Sequence, residues 1–177
     1  MPPPVAVGDL KQYVRTIPDF PKPGILFRDI TTLLSNPAAF HSAIDQLAQV
    51  FRDQGIQKVV GIESRGFLTA APLAYLLGAG FVPVRKKGKL PHKTAAVSYE
   101  LEYGTDTLEM HLDGILKDER TLVADDLLAT GGTAKATGEL VRKNGGVIAG
   151  MTFLIELTAL KGREKLGDVP VFSLMQF

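Results

Sequence analysis

The clearest chemical content in this chain lies in two adjacent carboxylates that run into a glycine- and threonine-rich stretch: Leu122-Val123-Ala124-Asp125-Asp126-Leu127-Leu128-Ala129-Thr130-Gly131-Gly132-Thr133. An apolar run delivers the acids into a loop that opens a helix. At a helix N-terminus the first backbone N–H groups have no intrahelical partner and the macrodipole is positive, so the peptide itself can bind a phosphate. Gly131 and Gly132 allow close backbone approach, and the hydroxyls of Thr130 and Thr133 add donors. Asp125 and Asp126, at the C-terminal end of a strand, stand where open α/β sheets bind ligands and can accept hydrogen bonds from a vicinal diol. No Gly-Lys-Ser/Thr closes the loop, and its spacing is not Gly-x-Gly-x-x-Gly. A phosphorylated sugar diol therefore fits better than a nucleoside triphosphate.

Other segments have chemistry of the same kind. Glu63-Ser64-Arg65-Gly66-Phe67 follows an apolar run and opens a helix, a second place where N–H groups and a guanidinium converge on an anion. Arg85 to Lys93 carries five cations and no acid. Such a run is either a solvated loop or a source of positive charge at the edge of the sheet. Val97 to Tyr103 and Thr107 to Leu112 alternate apolar and polar residues around Gly104-Thr105-Asp106, which predicts an antiparallel hairpin with Leu108, Met110 and Leu112 on one face and Thr107, Glu109 and His111 on the wet one. Within it, Glu100 and Glu102 fill polar positions whatever else they do. His41, His92 and His111 have neither triad nor metal-ligand spacing and read as surface or structural residues.

The elements that must position these groups follow from periodicity. Asp9 to Ile17 reads as a short amphipathic helix ended by Pro18, followed by an irregular Pro18 to Gly24. Asn36 is a good N-cap, Pro37 a good first-turn residue, and Phe40, Ile44, Leu47 and Phe51 share a helical face that Gly55 ends. Lys58 to Ile62, Phe81 to Val84, Arg120 to Ala124 and Val147 to Glu156 are continuous apolar runs, and Gly66 to Leu77 and Thr133 to Lys143 are helical. Strands covered on both faces by helices have this pattern, so a mostly parallel α/β sheet is expected, with the hairpin projecting from it as an arm or flap.

The apolar run, Asp-Asp, Leu-Leu-Ala and Thr-Gly-Gly-Thr of residues 122–133 resemble the phosphoribosyl pyrophosphate motif of type I phosphoribosyltransferases. Pro18-Asp19-Phe20-Pro21-Lys22-Pro23-Gly24-Ile25-Leu26-Phe27-Arg28-Asp29-Ile30, Ser98 to Gly104 and Leu154 to Leu166 are similar to segments of the adenine-specific members. The resemblance covers nearly the whole chain and implies a type I phosphoribosyltransferase fold: one domain over residues 1–177, a base-binding hood at about residues 18–35 and a flexible arm at about 95–112. It implies transfer of the phosphoribosyl group from 5-phospho-α-D-ribose 1-diphosphate to adenine, giving AMP and pyrophosphate, with Mg²⁺ held mainly by substrate oxygens.

By that similarity Phe27 packs on the purine, and the backbone of Leu26 and Arg28 reads its edge. Ala129, Thr130, Gly131, Gly132 and Thr133 take the 5-phosphate, and Asp125 and Asp126 orient the ribose and the metal's waters. Glu63, Ser64, Arg65, Arg85 and Lys86 bind pyrophosphate, in part across a dimer interface, while Lys87, Lys89 and Lys93 are steering charges or surface. Catalytic roles fall to Arg65, to Glu102 as acid/base and to Tyr103 in closing the site. The resemblance further implies a non-proline cis peptide near Glu63-Ser64, a packing role for residues 154–166 and a homodimer.

Composition agrees with one globular domain: 177 residues, 45% hydrophobic and 22% charged. Twenty Lys and Arg against nineteen Asp and Glu leave a net charge of +1, which provides no global field for nucleic acid or an anionic bilayer. Zero cysteines remove disulfides, zinc–thiolate sites and thiol nucleophiles and suit a reducing compartment, so a cytoplasmic location is expected. Residues 1–8 lack a basic segment followed by a long apolar one, and no stretch has the apolar length of a membrane span. A phosphoribosyltransferase for another nucleobase would keep the phosphate loop and lack this hood. A ligand-sensing regulator on the same fold would carry an added DNA-reading element or a basic RNA surface.

Overall fold

The computed structural model describes residues 9–100 and 104–177, in two units: an N-terminal one ending at Gln46 and a second from Leu47 to Phe177. In the first, the expected helix over Asp9 to Ile17 is replaced by one 3-10 turn, Leu10–Tyr13, and a strand, β1 (Arg15–Pro18). The reason lies in the residues. Thr16 and Ile17 are β-branched, and Pro18 disfavours the helical conformation of the residue before it. β1 pairs antiparallel with β2 (Leu26–Asp29), Ile17 opposite Phe27, across a turn in which the Asp19 carboxylate accepts from the Gly24 N–H at 2.7 Å and Gly24 takes φ 85°. A short helix α1 (Thr31–Ser35) follows, and then α2 (Pro37–Phe51). Asn36 caps α2 as expected, its Oδ1 accepting from the Ala39 N–H at 3.0 Å.

The second unit is built on a seven-stranded sheet. In chain order its elements are β3 (Lys58–Ile62), α3 (Gly66–Leu77), β4 (Gly80–Lys86), β5 (Thr94–Glu100), β6 (Thr105–His111), β7 (Arg120–Leu128), α4 (Gly132–Lys143), β8 (Val147–Glu156) and β9 (Val171–Gln176). The spatial order is β5-β6-β4-β3-β7-β8-β9, and the five strands from β4 to β9 are parallel. α3 and α4 cover opposite faces. Gly61 lies against Ala70 of α3, whereas its neighbours Val60 and Ile62 join Ala134, Ala136, Leu140 and Val141 of α4 in one buried cluster. Alternate strand residues point to opposite faces, so the two helices do as well.

The arm differs from expectation in two ways. Its strands do not simply project. β6 pairs with β4 through Arg85–Glu109 and Lys86–Leu108, so the hairpin continues the sheet edge. Its wet face is also not uniformly wet. Glu109 is buried, with Oε2 accepting from the Gly88 N–H at 2.9 Å, while Leu112 is 52% exposed. A charged residue is buried here because a backbone donor faces it. β9, which carries Val171–Gln176, was not expected. Its burial is partial, and its sequence, Val-Phe-Ser-Leu-Met-Gln, has no clean period.

Candidate active site

The crevice at the C-terminal edge of the sheet arises from where β3 and β7 part. Their register runs from Lys58–Thr121 to Gly61–Ala124 and then stops, because β3 turns into α3 while β7 continues along β8 to Leu128–Glu156. Asp125 and Asp126 are the first residues past that separation. The strand order reverses direction here, with β3 linked through α3 to β4 on one side and β7 linked through α4 to β8 on the other. This is the position at which open α/β sheets bind ligands. A cleft of about 520 Å³ opens at this point, lined by residues of both strand ends and of the arm.

Residues 129–131 and the start of α4 form one wall. Gly131 is the residue before the helix, at φ 80°, a conformation that favours glycine, and its carbonyl accepts the first helical bond from the Lys135 N–H at 2.9 Å. The first turn of α4 holds no acidic residue and the last holds Arg142 and Lys143. The positive pole of the helix is thus left for a ligand and the negative pole is compensated.

The opposite wall is the turn Glu63-Ser64-Arg65 at the start of α3, with a cis peptide between Glu63 and Ser64. The Arg65 guanidinium pairs with the buried Asp126 carboxylate at 2.9 Å. Burial pushes the Asp126 carboxyl up, and Arg65 opposes the shift. Burial and the adjacent Asp126 charge push Asp125 well above the usual carboxylate range. Asp125 also presses on Gly66, where a β-carbon would come within 2.5 Å of its Oδ1. A side chain at residue 66 would therefore displace the Asp125 carboxylate.

Glu63, expected among the pyrophosphate-binding residues, lines the cleft and is surrounded by donors. Its Oε1 accepts from Lys89 Nζ at 2.5 Å, and its Oε2 from Arg85 Nε at 3.2 Å and the Lys86 N–H at 3.0 Å. Burial raises its pKa, but these three donors outweigh that and hold the carboxyl at about 2, so Glu63 is an anion that organises cations. Arg85 does not line the cleft; Lys86 does, its Nζ 3.1 Å from Asp106 Oδ2 on the arm. The Asp106 charge raises the Lys86 pKa, and the Thr107 N–H and then Lys86 lower that of Asp106.

A phosphoribosyl transferase domain model matches residues 29–174. The adenine phosphoribosyltransferase of Solibacter usitatus is 57% identical over 169 residues, 96% of this chain and 98% of that protein. The crystal structure of adenine phosphoribosyltransferase from Rhodothermus marinus superimposes with a TM-score of 0.91 at 57% identity, covering 95% of this chain and 96% of that one. This chain belongs to the adenine phosphoribosyltransferase family. The Saccharomyces cerevisiae member, 44% identical with a TM-score of 0.88 over 93% of this chain and 96% of its own, was crystallised with D-2,5-dideoxy-2,5-imino-altritol 1,6-bisphosphate and adenine.

Of the residues that the family resemblance assigns, the cleft brings together Glu63, Ser64, Arg65, Lys86, Asp125, Asp126 and the run from Ala129 to Thr133. Leu26, Phe27 and Arg28 belong to the N-terminal unit, on β2. There Leu26 is 54% exposed, Phe27 stands edge-on to Phe20 with ring centres 5.1 Å apart, and Arg28 Nη1 donates to Thr16 Oγ1 at 2.5 Å. Glu102 and Tyr103, like residues 1–8, lie outside the described residues. Two polar lining residues have no assigned role in the sequence analysis: Tyr99, whose hydroxyl is 3.4 Å from Thr133 Oγ1, and Asp106. Strand alternation puts Tyr99 on the same hairpin face as Val97, and both pack against the core cluster. The reach of Tyr99 to α4 depends on the tertiary fold. Among the described residues no three His, Asp or Glu cluster as a metal cage, and no helix is long and apolar enough to cross a membrane.

Proposed function

We propose that this chain transfers the 5-phosphoribosyl group of 5-phospho-α-D-ribose 1-diphosphate to N9 of adenine, yielding AMP and pyrophosphate. The observation that carries the reading is the cleft between β3 and β7, where an acidic pair, an open helix N-terminus and a guanidinium face one space. The preference for adenine follows from family membership. The N–H groups of residues 129–133 and the Thr130 and Thr133 hydroxyls hold the 5-phosphate. Asp125 and Asp126 accept from the ribose diol, which fixes the anomeric carbon in line between base and leaving group.

As C1–O breaks and C1–N9 forms, charge builds on pyrophosphate. Ser64, Arg65 and Lys86 stabilise it, with Arg85 behind them oriented by Glu63. Leu26, Phe27 and Arg28 take the base, Glu102 exchanges the proton at the purine imidazole, and Tyr103 helps exclude water. The two carboxylates fit Mg²⁺: they are hard oxygen donors whose mutual repulsion a cation relieves, and they are too few to form a cage without substrate oxygens. Bound with substrate, such an ion would neutralise charge on the diphosphate. A homodimer, which rests on the family resemblance, and a cytoplasmic location, expected from the absence of cysteine, complete this reading.

The test supplies Mg²⁺, 5-phospho-α-D-ribose 1-diphosphate and, one at a time, adenine, hypoxanthine, guanine, orotate and uracil. AMP should form from adenine and little product from the others. Turnover of another base with none from adenine would overturn the substrate assignment. Tight binding without turnover of any base would favour a ligand-sensing regulator.

A further inference from the structure

We infer that Gly162, outside the cleft, is a positioning residue that sets the height of the phosphate-binding loop. The inference rests on the reading that residues 129–133 bind the 5-phosphate. Gly162 opens the 3-10 turn Gly162–Leu166 and is buried. It is not among the glycines of positive φ, so its backbone conformation is open to any residue. Space is what excludes a side chain. A β-carbon at Gly162 would overlap the carbonyl oxygen of Ala129 and come within 2.9 Å of the Gly131 nitrogen. Reciprocally, a β-carbon at Gly131 would overlap the Gly162 carbonyl oxygen. The two backbones touch directly under Ala129, Thr130 and Gly131, whose peptide groups must turn their N–H bonds toward the ligand.

The lower partner is held firmly. The Leu157 N–H donates to Leu128 O at 2.9 Å, the Thr158 N–H to Phe177 O at 3.0 Å and the Phe177 N–H to Glu156 O at 2.9 Å. Arg163, next to Gly162, donates through Nη2 and Nε to the buried Glu156 carboxylate at 2.5 and 3.1 Å, and through Nη1 to Val171 O at 2.7 Å. The loop above it has no side-chain cap at α4. Its position is therefore set by the floor it rests on, and a methyl group inserted between the two would lift Ala129 to Gly131 toward the ligand.

The experiment measures dissociation constants of ribose 5-phosphate and, separately, pyrophosphate for the wild type and Gly162→Ala, together with KM for each substrate. Ribose 5-phosphate binding should weaken about ten- to a hundredfold, and the KM for phosphoribosyl pyrophosphate should rise with it. Pyrophosphate affinity and the KM for adenine should stay within about twofold. Should Gly162→Ala not fold, Arg163→Lys, which loses the two-pronged grip on Glu156, provides the same comparison with a smaller effect of about three- to tenfold. Unchanged ribose 5-phosphate affinity, or equal weakening of both ligands, would overturn the inference. A wild type that binds pyrophosphate but not ribose 5-phosphate would instead overturn the phosphate-loop reading beneath it.

Discussion

Replacing Glu63 by Gln should separate the organisation of the cations from their contact with substrate. The carboxylate is held at a pKa of about 2 against an ordinary 4.5, a difference of about 3 kcal/mol in favour of the folded state if it were fully expressed. The Arg85 and Lys89 side chains are 34% and 49% exposed, so water screens the pairs and about 1–2 kcal/mol is expected. For a chain of this size that is a fall in Tm of about 2–8 °C at pH 7. The sign with pH is fixed. A carboxyl with a depressed folded pKa contributes stability that is complete above its unfolded value of 4.5 and is lost as pH falls toward 2. Wild type and Glu63→Gln should therefore differ in urea midpoint at neutral pH and converge between about pH 4.5 and 2. The KM for phosphoribosyl pyrophosphate should rise as Arg85 and Lys89 lose their anchor. Superimposable stability curves from pH 7 to pH 2 would refute the clamp.

Asp125→Asn should lower turnover about a hundredfold or more, by analogy with other preorganised polar groups. It should not lower Tm, because burial and Asp126 penalise the native carboxylate. Wild-type stability from this group declines as pH climbs from 3.8 through the raised folded pKa, and the variant should lack that decline; a variant both fully active and less stable would contradict the assignment. Tyr99→Phe removes the 3.4 Å bond to Thr133, and steady-state kinetics should show the KM for phosphoribosyl pyrophosphate rising about two- to fivefold with Tm nearly unchanged. No change in KM would mean that the arm and the phosphate loop are not coupled through this pair.

Much of the scaffold was legible because its signals are local. The spans of β3, α3 and β8 coincide with their apolar runs and helical periods, and Asn36 caps α2 through a bond three residues long in sequence. Where the reading failed, a partner distant in sequence decided the outcome. Residues 15–18, where β-branched Thr16 and Ile17 and then Pro18 already weaken a helix, became a strand because residues 26–29 pair with them. Glu109, on the polar side of an alternating hairpin, was buried because the Gly88 N–H meets it from another loop.

The candidate site divides in the same way. The sequence alone determined the loop proposed to bind phosphate, since a glycine turn opening a helix creates unpaired N–H groups wherever that helix sits, and it determined the acid pair beside the loop by adjacency. Only the tertiary structure decided what the cationic run does. Arg85 and Lys89 are drawn to Glu63 and Lys86 to Asp106, and Arg65 pairs with Asp126 across the crevice. Coulomb pairing depends on distance in space, and that distance is set by the strand order β6-β4-β3-β7, which does not follow chain order. The requirement for glycine at Gly162 is of the same kind: it comes from the backbone of Ala129, thirty-three positions earlier in the sequence.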